Sequence, residues 1–193
     1  QTLINADNLP VGLGAQDLSP HDEGAHTGDI SGVFLKALDC SYVVVGHSER
    51  RADHHEDDSH VAAKVVAALR HGLIPIVCVG ETSEDLERYG ASKIPVDQLA
   101  AVLAEIPQGS EFVVAYEPVW AIGSGQAATP DQAEDVCKAL RETIREHHGD
   151  EAADSTRVLY GGSVKSTNIA GFMKRDNIDG ALVGGASLDV DEF

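Results

Sequence analysis

Positive charge is scarce in this chain. Fourteen Lys and Arg stand against 32 Asp and Glu, a formal net charge of −18 over 193 residues. Such a surface repels phosphate backbones and anionic headgroups within a Debye length, which argues against nucleic acid or an anionic membrane as partner. Cysteine is also scarce: Cys40, Cys78 and Cys137 are odd in number and far apart, with no C-x-x-C pair. A disulfide scaffold or a structural zinc site is therefore not expected, and a reducing cytoplasm is the expected compartment. No apolar run approaches the roughly 20 residues of a bilayer span. The opening QTLINADNLP has neither the basic nor the apolar region of a signal peptide. Low-complexity tracts and long linkers are missing too, so residues 1–193 read as one domain.

What is present is an alternation. Short runs rich in Val, Ile and Leu predict strands over 11–18, 42–48, 74–80, 112–118, 157–162 and 180–185. Between them, helices are predicted over 31–38, 57–71, 96–105, 130–148 and 166–175. The helix at 57–71 places Val61, Val65, Ala68 and Leu69 on one face, with Asp57 and Asp58 at its positive end and Gly72 closing it. The helix at 130–148 opens on Pro130 and carries Val136, Leu140 and Ile144 at helical spacing. Apolar strands separated by helices imply a parallel sheet in an α/β fold.

Almost every strand runs into a polar or glycine-rich loop: GHSERR, GETSED, YEPVWAIGSG, GGSVKS and GGAS. In α/β sheets and (β/α)₈ barrels these C-terminal strand ends carry the chemistry. Glu117 closes the strand VVAY, and Pro118 keeps it from starting a helix. A carboxylate desolvated there is a stronger base near neutrality, although a salt-bridged rim residue would look the same. The run AIGSGQAA (121–128) has the composition of a lid that closes on an anion. Its Gly123, Gly125 and Ala128 also match dinucleotide-fingerprint spacing, but Pro118, Val119 and Trp120 separate them from the strand. YGGSVKS and VGGAS place Gly-Gly pairs at two consecutive strand ends, where backbone amides can approach a phosphate, or simply turn tightly. His47 ends VVVGHS; an imidazole at a helix start has its cation disfavoured and could donate a hydrogen bond while neutral. The run DHHEDDSH (53–60) resembles metal-ligand material, but no standard zinc spacing fits, and a solvated acidic helix start is the expected reading.

Taken in order, GAQDLSPHDEGAHTGDIS, VVVGHSERR, IVCVGE, AYEPVWAIGSG, LYGGSV and GALVGGASL resemble the motifs of the triosephosphate isomerase family, in its bacterial form, from the third βα unit to the eighth. The resemblance implies a TIM (β/α)₈-barrel fold with about six of its eight units. It implies interconversion of dihydroxyacetone phosphate and D-glyceraldehyde 3-phosphate through an enediolate, as in glycolysis and gluconeogenesis, with no metal or organic cofactor. Glu117 would be the base and His47 the neutral imidazole at the carbonyl, roles that belong to the family and are carried here by its motifs. Gly123, Ser163, Gly184 and Gly185 would hold the phosphate, with Glu49 and Cys78 in support. Residues 18–31 resemble the loop through which the family dimerises, with Thr27 at its tip near the neighbouring active site.

The sequence also departs from the family. QTLINADN resembles the tail of the second helix, and the first strand, with its Asn-x-Lys motif, has no counterpart. Lys36, Lys64, Lys93, Lys138, Lys165 and Lys174 sit in contexts unlike it. Loss of a positioned cation is expected to cost several kcal/mol of transition-state stabilisation. Six strands cannot close an eight-stranded barrel, so the outer strands are expected to leave open edges that invite pairing. The leading expectation is a triose-phosphate isomerase. The alternatives are a catalytically impaired remnant that binds phosphate or assembles with itself, and a dinucleotide-binding oxidoreductase resting on GSGQAA alone.

Overall fold

The computed structural model describes residues 9–122 and 127–193. Six parallel strands form one sheet in sequence order: β1 Gly14–Ala15, β2 Tyr42–Val45, β3 Ile74–Val79, β4 Val113–Tyr116, β5 Val158–Tyr160 and β6 Gly180–Ala181. Helices cross between them: α1 Gly32–Ala37, α2 Ser48–Asp53, α3 Asp58–Arg70, α4 Ser83–Tyr89, α5 Lys93–Leu103, α6 Pro130–His148, α7 Asp150–Ser155 and α8 Ile169–Phe172. Each strand therefore pairs with its sequence neighbour after a helical crossover, the arrangement of a (β/α) barrel. The sheet curls far enough that Asp17, after β1, and Gly184, after β6, line one cavity.

The two faces of the sheet differ. Val43, Val45, Val77, Val114, Val158 and Tyr160 are fully buried, and lie in register beneath the helices. Val61, Val65 and Ala68 of α3, Leu99 and Val102 of α5, and Val136, Leu140 and Ile144 of α6 complete that layer. On the other face Tyr42, Val44, Ile74, Ile76 and Leu159 are only half-buried, while Cys78, Val113 and Ala115 at its centre are buried. At the β1 side, Val11, Val33, Phe34 and Leu38 are exposed, and near the other end Leu188, Val190 and Phe193 are.

All six predicted strands occur, but the two outer ones shrink to two residues each. Each has one neighbour to bond, and both read Gly-Ala, the weakest strand formers in the sheet. Helix α6 has the predicted bounds; Thr129 and Gln132 form its capping box and Pro130 fills its first turn. Helix α5 starts three residues earlier than predicted, because Pro95 falls in its first turn and costs no hydrogen bond there. Helices α2, α4 and α7 lie outside the predicted helical ranges, all three being too short and polar for an apolar period to show. Residues 1–8, read as a helix tail, and 123–126, the centre of the predicted lid, lie outside the described residues.

Candidate active site

Strand β2 ends at Gly46, whose φ of +71° favours glycine. A Cβ there would meet Val61 at 2.9 Å and the Cys78 carbonyl at 3.1 Å. That turn places His47 as the cap of α2, where its Nδ1 accepts from the backbone N–H of Glu49 at 3.3 Å. Accepting at Nδ1 leaves the ring proton on Nε2. His47 Nε2 lies 2.9 Å from Glu117 Oε1. The second oxygen, Oε2, accepts from the backbone N–H of Ser48 at 3.0 Å.

Glu117 is 2% exposed. Its own N–H donates to the Val79 carbonyl at 2.8 Å, which extends the β3–β4 ladder beyond Tyr116. A Cβ on Gly80 would fall 1.9 Å from the Glu117 carbonyl oxygen, and on the β5 side one on Gly161 would fall 3.1 Å from its Cγ. Glycines on both neighbouring strands thus make room for this one residue. Cys78 is buried close by, and burial, followed by the Glu117 charge, raises its thiol well above the ordinary range. It sits there as a neutral thiol.

His47 departs from expectation. Its pKa is raised, first by the hydrogen bond to Glu117, against a desolvation that lowers it. The short helix behind it does not outweigh a carboxylate in direct contact.

His47 and Glu117 open into a cavity of about 760 Å³. Its wall includes Ser163, Gly184 and Gly185, so the structure brings together the predicted base, imidazole and both glycine loops. A Cβ on Gly184 or Gly185 would meet nothing within 4 Å, so no neighbouring atom demands glycine there. The backbone of Gly184, with φ −91° and ψ −116°, is itself one that residues with a Cβ rarely adopt. Gly162 is different: its Cβ would collide with the Tyr160 hydroxyl at 2.2 Å.

Two predicted residues differ from their expected roles, and a third cannot be placed. The side chain of Glu49 is 81% exposed and 3.8 Å from His47 Nδ1, so its backbone contributes more to His47 than its carboxylate does. Thr27 is exposed and lines a second cavity, with His21, His26 and His60, away from Glu117. Gly123 lies outside the described residues. The 53–60 run caps helices: Asp57 accepts from the His60 N–H at the start of α3. Among the described residues no group of three or more His, Cys, Asp or Glu is placed to hold a metal ion.

Two clusters escaped the sequence reading. Glu81 is fully buried, and its Oε1 accepts from the Tyr116 hydroxyl at 2.9 Å and Trp120 Nε1 at 2.7 Å. The second cluster ties loop to helix: buried Lys64 donates to both Asp17 oxygens at 2.7 and 2.8 Å and to Glu56 at 2.6 Å. Arg50 bridges the same two acids at 3.0 and 2.7 Å, and Arg51 Nε fixes the Gly46 carbonyl at 2.9 Å, one residue before His47. Apolar periodicity carries no trace of either cluster. The one available signal was an acid just after a strand, Asp17 after β1 and Glu81 after β3.

The family model described as triosephosphate isomerase matches residues 1–193. A triosephosphate isomerase of Leifsonia xyli subsp. xyli is 65% identical over 193 residues, covering all of this chain and 74% of that protein. Those of Streptomyces avermitilis and Mycobacterium tuberculosis are 53% and 52% identical over 195 residues, again covering the whole chain and 76% and 75% of theirs. With six parallel strands in barrel order and a buried Glu117 set against His47, these matches leave one conclusion: the chain belongs to the triosephosphate isomerase family.

Proposed function

We propose that this chain is an aldose–ketose isomerase that interconverts dihydroxyacetone phosphate and D-glyceraldehyde 3-phosphate. The observation that carries the reading is the Glu117–His47 pair, 2.9 Å apart, in the wall of a cavity that also holds the two glycine loops. Glu117 takes a proton from C1 of the ketose, and the electron pair moves to the carbonyl oxygen as the enediolate forms. His47 donates through Nε2–H to that oxygen, where charge develops. The proton returns to C2, a hydroxyl proton passes between the two oxygens through His47, and the aldose results.

The resting His47–Glu117 hydrogen bond must part for substrate to lie between the two side chains. Parting removes the largest influence that raises the imidazole pKa, so that desolvation, which lowers it, is opposed only by the charges of Glu117 and Glu49. Substrate insertion therefore shifts His47 toward the neutral donor. Ser163, Gly184 and Gly185 hold the phosphate, and Gly123 joins them from the lid. Cys78 supports Glu117 as a neutral neighbour, and Glu49 orients His47.

The same reading takes the chain as one domain, in a reducing cytoplasm, assembled as a homodimer through residues 18–31 with Thr27 at the contact. The exposure of residues 21–30 supports that contact; sedimentation as a monomer at every concentration would remove it. No helix among the described residues is long and apolar enough to cross a membrane.

The decisive experiment is isomerase turnover of the purified chain beside Glu117→Gln. Turnover that Glu117→Gln lowers by at least about a thousandfold is expected, because the variant keeps the shape and loses the base. Equal turnover in both would overturn the assignment of the base. None in either would leave a phosphate-binding remnant.

A further inference from the structure

The cavity presents an electrostatic difficulty. A triose phosphate arrives as a dianion, at a protein of net charge −18, and the wall it meets carries Asp17, Glu49, Asp53 and Glu117. Backbone amides of glycine loops supply partial charge only. Full positive charge on the wall comes, among the described residues, from Arg50 and Lys165. Arg50 is committed elsewhere: its guanidinium is within 3.0 Å of Asp17 and 2.7 Å of Glu56. Lys165 is not. Among the described residues no carboxylate or carbonyl lies within ion-pair or hydrogen-bond distance of its ammonium group, although its backbone is fully engaged.

We infer that Lys165 is a phosphate-binding residue of this site, a cation that neutralises a substrate's phosphate beside Ser163, Gly184 and Gly185; the inference rests on the triose-phosphate reading above. The loop that carries it is built to hold it in place. Asn168 Oδ1 accepts from the Lys165 N–H at 2.8 Å while Asn168 Nδ2 donates to the Ser163 carbonyl at 2.9 Å. The Lys165 carbonyl accepts from Asn168 and Ile169 at the start of α8. Ser166 is fastened in turn to Glu192 through its N–H at 2.9 Å. A rigid backbone thus places Lys165 two residues from Ser163, and a flexible four-carbon stem lets the ammonium follow a ligand in the cavity. Its loop position makes it unlike a cation set on a barrel strand, which is why sequence context alone passed it over.

The test titrates the purified chain with inorganic phosphate at low salt, following the Gly184 and Gly185 amide resonances. Lys165 is exposed, so Lys165→Met leaves the fold intact. Phosphate should bind about tenfold more weakly to Lys165→Met than to the parent chain. Lys165→Arg should restore affinity to within about twofold, and added salt should weaken the parent more steeply than the Met variant. Equal binding by parent and Lys165→Met at those two glycines would overturn the role of Lys165 and leave the phosphate site standing. No response of either glycine in the parent would overturn the phosphate site itself, and the inference with it.

Discussion

Glu81 and Glu117 leave adjacent strands at the same end of the sheet, and both are buried, yet their surroundings differ in kind. Glu81 crowds two donors, the Tyr116 hydroxyl and Trp120 Nε1, onto one oxygen, while its other oxygen has no hydrogen-bond partner among the described residues. Burial raises its pKa, and burial also raises that of the Tyr116 phenol, which keeps its proton to donate. Glu117 divides its oxygens between His47 and Ser48 and faces the cavity. Burial is common to both carboxylates; access is not. A side chain with fixed apolar-layer partners holds a structure, whereas one whose partner can be displaced by a ligand can do chemistry.

Gly80 joins the two and gives the largest expected effect. It precedes Glu81, and its missing Cβ leaves room for the Glu117 carbonyl, 1.9 Å from where that atom would be. Gly80→Ala must push the β4 backbone, so a loss of about 3 kcal/mol or more in urea unfolding is expected, together with turnover. Stability equal to the parent would show that the two strand ends move independently.

Next, Glu81→Ala leaves the Tyr116 hydroxyl and Trp120 Nε1 without their acceptor, at a cost of about 1–3 kcal/mol in the same assay. Glu81→Gln keeps an acceptor at Oε1 and should stay within about 1 kcal/mol of the parent. A raised folded-state pKa also means that ionising Glu81 above the ordinary carboxylate range costs stability. That fall with rising pH should vanish in Glu81→Gln.

The smallest effect concerns His47. Its folded-state pKa is raised above the ordinary 6.5, so its contribution to stability is fully present below about that pH and is lost as pH rises through the folded value. Proton NMR titration of the imidazole should show the raised value in the parent and a return toward 6.5 in Glu117→Gln. An unchanged titration would place the cause outside Glu117.

Much of this arrangement was legible beforehand. Strand ends that change abruptly from apolar to polar or glycine-rich located Glu117, His47 and both Gly-Gly loops, because a parallel sheet puts all its C-terminal ends on one side. Partners that depend on two distant segments were not legible. Nothing local to GETSED says that Glu81 receives Tyr116, 35 residues on, and nothing local to the helix at 57–71 says that Lys64 points inward to Asp17, 47 residues back. The expected cation penalty at His47 failed for the same reason. It weighed the neighbouring helix start and could not see a carboxylate brought from 70 residues away by an intervening β-strand.

The sequence by itself determined the order of strands and helices, the parallel sheet, the family and the residue types at each strand end, since each rests on periodicity or on motifs read within one segment. Only the tertiary structure decided which carboxylate meets the imidazole and which is sealed against Tyr116 and Trp120. It also decided that Arg50 is bound to acids and Lys165 is not. Those outcomes depend on distances between segments far apart in the chain, and hydrogen bonds and ion pairs act only within a few ångströms.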